Sequence, residues 1–250
     1  LPESSLGQIV ALSDKLDTLL GIFAVGQKPT GEKDPYALRR AAIGVLRILI
    51  EGQLDLDLRE LISFAAAALS DKVEAVDVET EVFDFMLERL RAYYLDRNTP
   101  VDVFDAVSAL RPGRPLDFDK RIKAVGTFRA LPEAKSLAAA NKRVGNILKK
   151  AELRSDAVIN AGLFEVQEEE NLYNQLEALK KETDPLFDAG DYEEALRKLS
   201  SLRESVDNFF DHVMVMADDE KVRNNRLALL SQMSSLFLRA ADLSRSHQKS

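Results

Sequence analysis

At 250 residues, with 46% hydrophobic and 30% charged side chains, the chain has ample material for a buried core and is too apolar for a disordered protein. It has no cysteine and two histidines, which excludes disulfide scaffolds, thiol nucleophiles, cysteine-based zinc sites and His-rich metal clusters. The net charge of −8 argues against nucleic acid only until its distribution is read: residues 111–154 carry twelve Lys and Arg against four acids, whereas residues 155–220 carry eighteen acids against five bases.

The opening LPESSLGQ has neither a basic n-region nor an apolar h-region, so no secretory signal is expected. Without an initiator Met it reads as the start of an excised piece. Ile9, Leu12, Leu16, Leu19 and Phe23 then step by three and four, which predicts one buried face of a first helix. A turn over 27–32 leads to Asp34 as N-cap and Pro35 at the first helical position, with Leu38, Ala42, Val45 and Leu49 as the second buried stripe. Helices are expected at 58–69, which is alanine-rich, at 78–95 with Val82, Met86, Leu90 and Tyr93 in register, and at 101–110. The stretch RPGRP, residues 111–115, predicts a domain boundary, dividing the chain into 1–112 and 113–250.

Beyond it, residues 117–130 and 132–150 read as two basic helices. The acidic half continues with a helix at about 165–181, a break at Asp184-Pro185, and an Ala-Gly-Asp turn at 189–191 before a helix over 192–202. Asp218 or Asp219 caps a long last helix to about residue 243, with Val222, Arg226, Leu229, Met233, Leu236 and Ala240 along one face. No stretch approaches the ~18 apolar residues of a membrane span. The fold class expected is all-α, a helical region followed by a helical bundle.

The chemistry is sparse. GQKPTGEK, residues 26–33, imitates a phosphate loop, but Glu32 breaks the Gly-Lys pair, Asp34 stands where Ser or Thr is needed, and a helix precedes it. Asp14 and Asp17, at i and i+3, are a carboxylate pair best read as solvated. Of Arg39 and Arg40, the second is expected to pair with an acid and the first to face solvent. His212 sits beside Phe209 and Phe210 and is expected to pack there. No catalytic residue and no metal ligand set is expected. The basic helices point instead to RNA: Lys120, Arg121 and Lys123 in one turn, Lys142 and Arg143 as a second pair, and Lys149, Lys150 and Arg154 as a third group match phosphates spaced along a backbone. Phe118 and Phe128 offer stacking surfaces, though aromatics at helical spacing more often belong to the core.

Two stretches carry a family resemblance. ALSDKLDTLLGIFAVGQKPTGEKDPYALRRAAIGVLRIL, residues 11–49, and DNFFDHVMVMADDEKVRNNRLALLSQMSSLFLRAADLS, residues 207–244, resemble in the same order the β subunits of bacterial two-subunit glycyl-tRNA synthetases. The resemblance implies that residues 1–112 close an HD-like helical domain, with Asp14 where phosphohydrolases of that type carry a metal-binding aspartate whose other ligands are absent here. It implies that residues 113–250 form a helical anticodon-binding domain of the kind shared with arginyl-type synthetases. There VRNNR places Arg223 among the tRNA contacts, Asn224 and Asn225 as readers of base edges, and an arginine of the motif as a structural anchor. It further implies glycine tRNA and the α subunit as partners, an α2β2 heterotetramer in the cytoplasm, and no cofactor in this chain, ATP and magnesium being used by the catalytic α subunit. The competing readings are an HD-type metal phosphohydrolase and a helical scaffold that binds an acidic protein.

Overall fold

A computed structural model describes residues 1–69, 78–151 and 158–245. Among these the chain forms α-helices and short 3-10 turns, and the only strand-like pairing is an isolated antiparallel bridge between Thr30 and Lys33. Two compact units result. The first comprises residues 1–99 and 112–119, the second residues 100–111 and 120–250. The expected division at 112 and 113 falls amid three crossings of the chain, near residues 99, 111 and 119.

In the first unit, helix α1 (Ser5–Ala24) begins where Ser4 Oγ accepts the Gly7 N–H at 3.1 Å. Leu12, Leu16, Leu19, Leu20 and Phe23 are buried. Ile9 is 61% exposed and lies outside the core stripe that its spacing predicted. Residues 26–33 form a turn in which Gly26 and Gly31 take positive φ, so the apparent phosphate loop is an ordinary reversal. Helix α2 (Leu38–Glu51) starts three residues later than its sequence suggests. Asp34 still caps it, accepting the N–H groups of Leu38 and Arg39 at 2.8 and 3.0 Å, but across a turn in which Ala37 has φ 55°, so Pro35 stays outside. Arg39 donates to the Gly31 carbonyl at 2.6 Å while Arg40 is exposed, the reverse of their expected roles.

Helices α3 (Leu58–Leu69) and α4 (Val78–Leu95) complete the packing against α1 and α2. The RPGRP stretch is not a free linker. Leu58 N–H donates to the Gly113 carbonyl at 2.8 Å, and a Cβ on Gly113 would stand 2.5 Å from an Asp57 carboxylate oxygen, which explains the glycine. Tyr94 Oη donates to the buried Asp119 carboxylate at 3.0 Å and its ring stacks on Phe118; burial first, then Asp119, pushes the phenol pKa well up.

The second unit holds α5 (Val101–Ser108), the C-terminal portion of α6 (Pro115–Arg129), α7 (Ala134–Ala151), α8 (Gln167–Asp188), α9 (Tyr192–Leu199), α10 (Arg203–His212) and α11 (Glu220–Leu238). Helix α11 lies against α7 and α8, and α10 packs against the same two. Leu137, Val144, Leu172, Leu176, Phe209, Leu229, Met233 and Phe237 fill the space between them. Phe128 is buried near Phe237, and Phe118 is buried in the first unit, so neither is a stacking platform. Contrary to the expected break, α8 runs through Pro185 to Asp188, where Gly190 at φ 71° turns the chain into α9. Proline is tolerated because the carbonyl it leaves without a donor belongs to exposed Lys181 in the last turns, within reach of water. Helix α11 opens with Asp219, whose carboxylate accepts the N–H groups of Lys221 and Val222 at 2.7 and 3.1 Å; these bonds hold its pKa down.

Candidate nucleic-acid interface

The cations of the basic block are not equivalent once folded. On α6, Lys120 and Lys123 are exposed, but Arg121 is half-buried. Its guanidinium donates to the carbonyls of Arg239 at 2.6 Å and Ala240 at 2.9 Å, and to Tyr192 Oη at 2.7 Å, while lying 4.2 Å over the Tyr192 ring. Those carbonyls lie at the C-cap of α11 and just beyond it, where intrahelical donors have run out. Arg121, expected to face RNA, thus spends its donors holding α11 in place.

Helix α7 carries five exposed cations. Leu137, Ala138, Ala140, Asn141 and Val144 turn inward, and Asn141 satisfies its buried amide on the Leu137 carbonyl at 2.9 Å. Lys142, Arg143, Lys149 and Lys150 are all exposed, as is Lys135 one heptad before Lys142. A step of seven residues returns to nearly the same helix face after about 10.5 Å. Two parallel rows follow, Lys135–Lys142–Lys149 and Arg143–Lys150. Arg143 lies 4.1 Å over the Phe210 ring of α10, and that ring meets Phe209 edge-on with centroids 5.7 Å apart. An open depression of about 510 Å³ is lined by Ala139, Lys142, Arg143, Asn146, Ile147 and Lys150. Arg154 and His247 lie outside the described residues.

Elsewhere in the unit, several cations are neutralised by neighbouring carboxylates. Arg239 pairs with Asp184 and, at 2.6 Å, with Asp188; Arg197 pairs with Glu194 at 2.5 Å; Lys198 pairs with Glu182 at 2.7 Å. Among the described residues, Lys120, Lys142, Lys149 and Lys150 take no such partner. A cation that no carboxylate neutralises keeps its attraction for phosphate, and on α7 such cations recur along one face.

The VRNNR segment of α11 is mostly structural. Arg226 is buried, with Nε 2.9 Å from one oxygen of buried Glu169, Nη2 3.1 Å from the other and 2.9 Å from Glu165, and Nη1 3.0 Å from the Met214 carbonyl. Glu169 also accepts the N–H groups of Glu165 and Val166 at 2.9 and 3.2 Å, at the start of α8. Burial alone would raise the Glu169 pKa; Arg226 and the two N–H groups outweigh it and hold the carboxyl below its ordinary value. Arg223 is half-buried and donates to the carbonyls of Ala217 at 2.8 Å and Asp218 at 3.3 Å, fixing the α10–α11 connector. Asn225 is buried and exchanges two bonds with the Asn160 backbone, at 2.7 and 3.1 Å, so it has no edge left for a base. Asn224 is exposed, and so is His212, whose Nδ1 is 2.9 Å from its own helix's Asn208 carbonyl instead of packing on the phenylalanines.

Phe210 beneath Arg143, and Asn146 and Ile147 between the cations, were missed by sequence reasoning. A helical projection from Lys142 places Asn146 at i+4, and that signal was available; the Phe210 contact is tertiary and was not. Asp14 and Asp17 are exposed, and no group of three or more potential metal ligands gathers among the described residues. The arrangement is suited to holding a polyanion.

Residues 1–109 match the family model described as glycyl-tRNA synthetase beta subunit, and residues 137–243 match the one described as DALR anticodon binding domain. The chain is 52% identical over 244 residues to the glycine–tRNA ligase beta subunit of Pseudoalteromonas translucida, 54% identical to that of Aeromonas salmonicida and 51% to that of Vibrio atlanticus. In each case the alignment takes in 98% of this chain and 35% of the relative, so the chain spans about a third of the length of these curated relatives.

Proposed function

From the match of residues 1–109 to the glycyl-tRNA synthetase beta subunit model and the 52% identity to such subunits, we propose that this chain is the part of a beta subunit which grips glycine tRNA, through its second unit, during ATP-dependent glycylation by the alpha subunit. The observation that carries this reading is the unneutralised cationic face of α7 in a bundle that matches an anticodon-binding domain. The first unit supplies the end of an HD-like helical region. ATP and magnesium act on the alpha subunit, this chain holds no cofactor of its own, and the working enzyme is a cytoplasmic α2β2 heterotetramer. No helix among the described residues is long and apolar enough to cross a membrane. The phosphohydrolase reading is disfavoured because Asp14 and Asp17 are exposed and, among the described residues, no third ligand gathers beside them.

Titration of the chain with glycine tRNA at several salt concentrations tests the proposal. Five exposed cations (Lys120, Lys142, Arg143, Lys149, Lys150) engaging phosphates predict a slope of log K against log[salt] of about −3 to −5. Changing the anticodon is expected to weaken binding at fixed salt. Equal affinity for glycine tRNA and for any acidic polymer would overturn anticodon recognition and favour the scaffold reading.

A further inference from the structure

We propose that the depression on α7 seats one unstacked nucleotide of the bound RNA, with Asn146 bonding the edge of its base; this rests on the RNA-gripping role above. Lys142, Asn146 and Lys150 recur at steps of four, and Arg143, Ile147 and Lys150 at steps of four and three, so the five share one face. Cations stand at both ends of that face, Lys142 and Arg143 at one and Lys150 at the other, roughly 12 Å apart along the axis. That span leaves room for one base with a phosphate on either side.

What lies between the cations is not what a phosphate track alone needs. Ala139 and Ile147 make an apolar floor, and Asn146 is exposed with its amide unbonded among the described residues. An amide offers two donors and an acceptor in one plane, the complement of a base's Watson–Crick edge. Arg143 is a preset plane at the rim, because its stacking 4.1 Å over Phe210 fixes its orientation while leaving it exposed. A guanidinium so held can take a base on its free face. A carboxylate side chain of an acidic protein would use the cations and the amide N–H but neither the amide oxygen nor the apolar floor, so the observations favour a nucleotide.

The test is an abasic scan. Hairpins carrying the glycine anticodon loop, each with a single abasic position, are titrated against the wild-type chain and the Asn146→Ala chain. The wild-type chain is expected to lose roughly tenfold in affinity at one loop position. Asn146→Ala is expected to bind the intact hairpin several-fold more weakly and to lose most of the penalty at that position alone, with the salt slope unchanged. Asn146 is exposed, so the substitution is not expected to perturb folding. A wild-type chain that binds with a steep salt slope but shows no position-specific loss overturns the nucleotide seat and leaves the RNA role intact. So does an Asn146→Ala chain that reproduces the wild-type pattern. A wild-type chain that binds no hairpin overturns both.

Discussion

Arg226 and Arg143 are put to opposite uses by one unit of structure. Arg226 is desolvated against Glu169, and removing one partner of such a pair strands the other charge. Arg226→Met is accordingly expected to lower stability by about 3–5 kcal/mol in urea unfolding. The pair also sets an acid limit. Because the folded-state pKa of Glu169 is depressed, its contribution is fully present above the ordinary carboxylate value of 4.5 and is lost as pH falls through the lower folded value. Glu169→Gln should therefore flatten the acid limb of a stability–pH curve; an unchanged limb would mean that Glu169 is not held ionised by Arg226. The neighbouring asparagines divide in the same way. Asn225→Ala, which frees the Asn160 backbone, is expected to cost about 1–3 kcal/mol, and Asn224→Ala less than about 0.5 kcal/mol. Residue types were legible in the sequence here, but their assignment was not. Nothing in VRNNR says which amide meets a backbone sixty-five residues away.

Helices α6 and α7 were both read as basic faces, and only α7 is one throughout. The three-residue cluster Lys120-Arg121-Lys123 necessarily turns its middle member by about 100° from its first neighbour, and that turn carries Arg121 toward α9 and the end of α11. Arg121→Ala should therefore destabilise the chain by about 1–3 kcal/mol and leave the salt slope of RNA binding unchanged. Reversing Lys142, Lys149 and Lys150 to Glu should do the converse, weakening binding steeply while the unfolding midpoint stays within experimental error. If both sets change only stability, α7 is not the RNA face. Element existence was written in apolar periodicity, which is why α4 and the buried stripe of α11 lie where spacing places them. Element ends were not. Asp34 caps α2 through a turn closed by Ala37 in a left-handed conformation, and Pro185 stays inside α8 because water can serve the carbonyl it frees.

At the scale of the whole chain, the all-α class was fixed by spacing alone. The two units were less legible, because the chain crosses between them more than once and a Pro-Gly stretch marks only one of the crossings. The charge asymmetry survives folding, with one qualification: it is sharpened by neutralisation. Acidic α8 and its neighbours absorb the arginines around them, leaving α7 as a largely unopposed cationic strip. For an approaching polyanion this has a kinetic meaning. The carboxylates repel it from the acidic surfaces while α7 attracts it within a Debye length of about 8 Å, so most unproductive encounters end before contact. On the proposed RNA role, the acidity of α8 directs RNA toward α7, and raising the net charge by neutralising α8 carboxylates would speed adhesion at the cost of orientation.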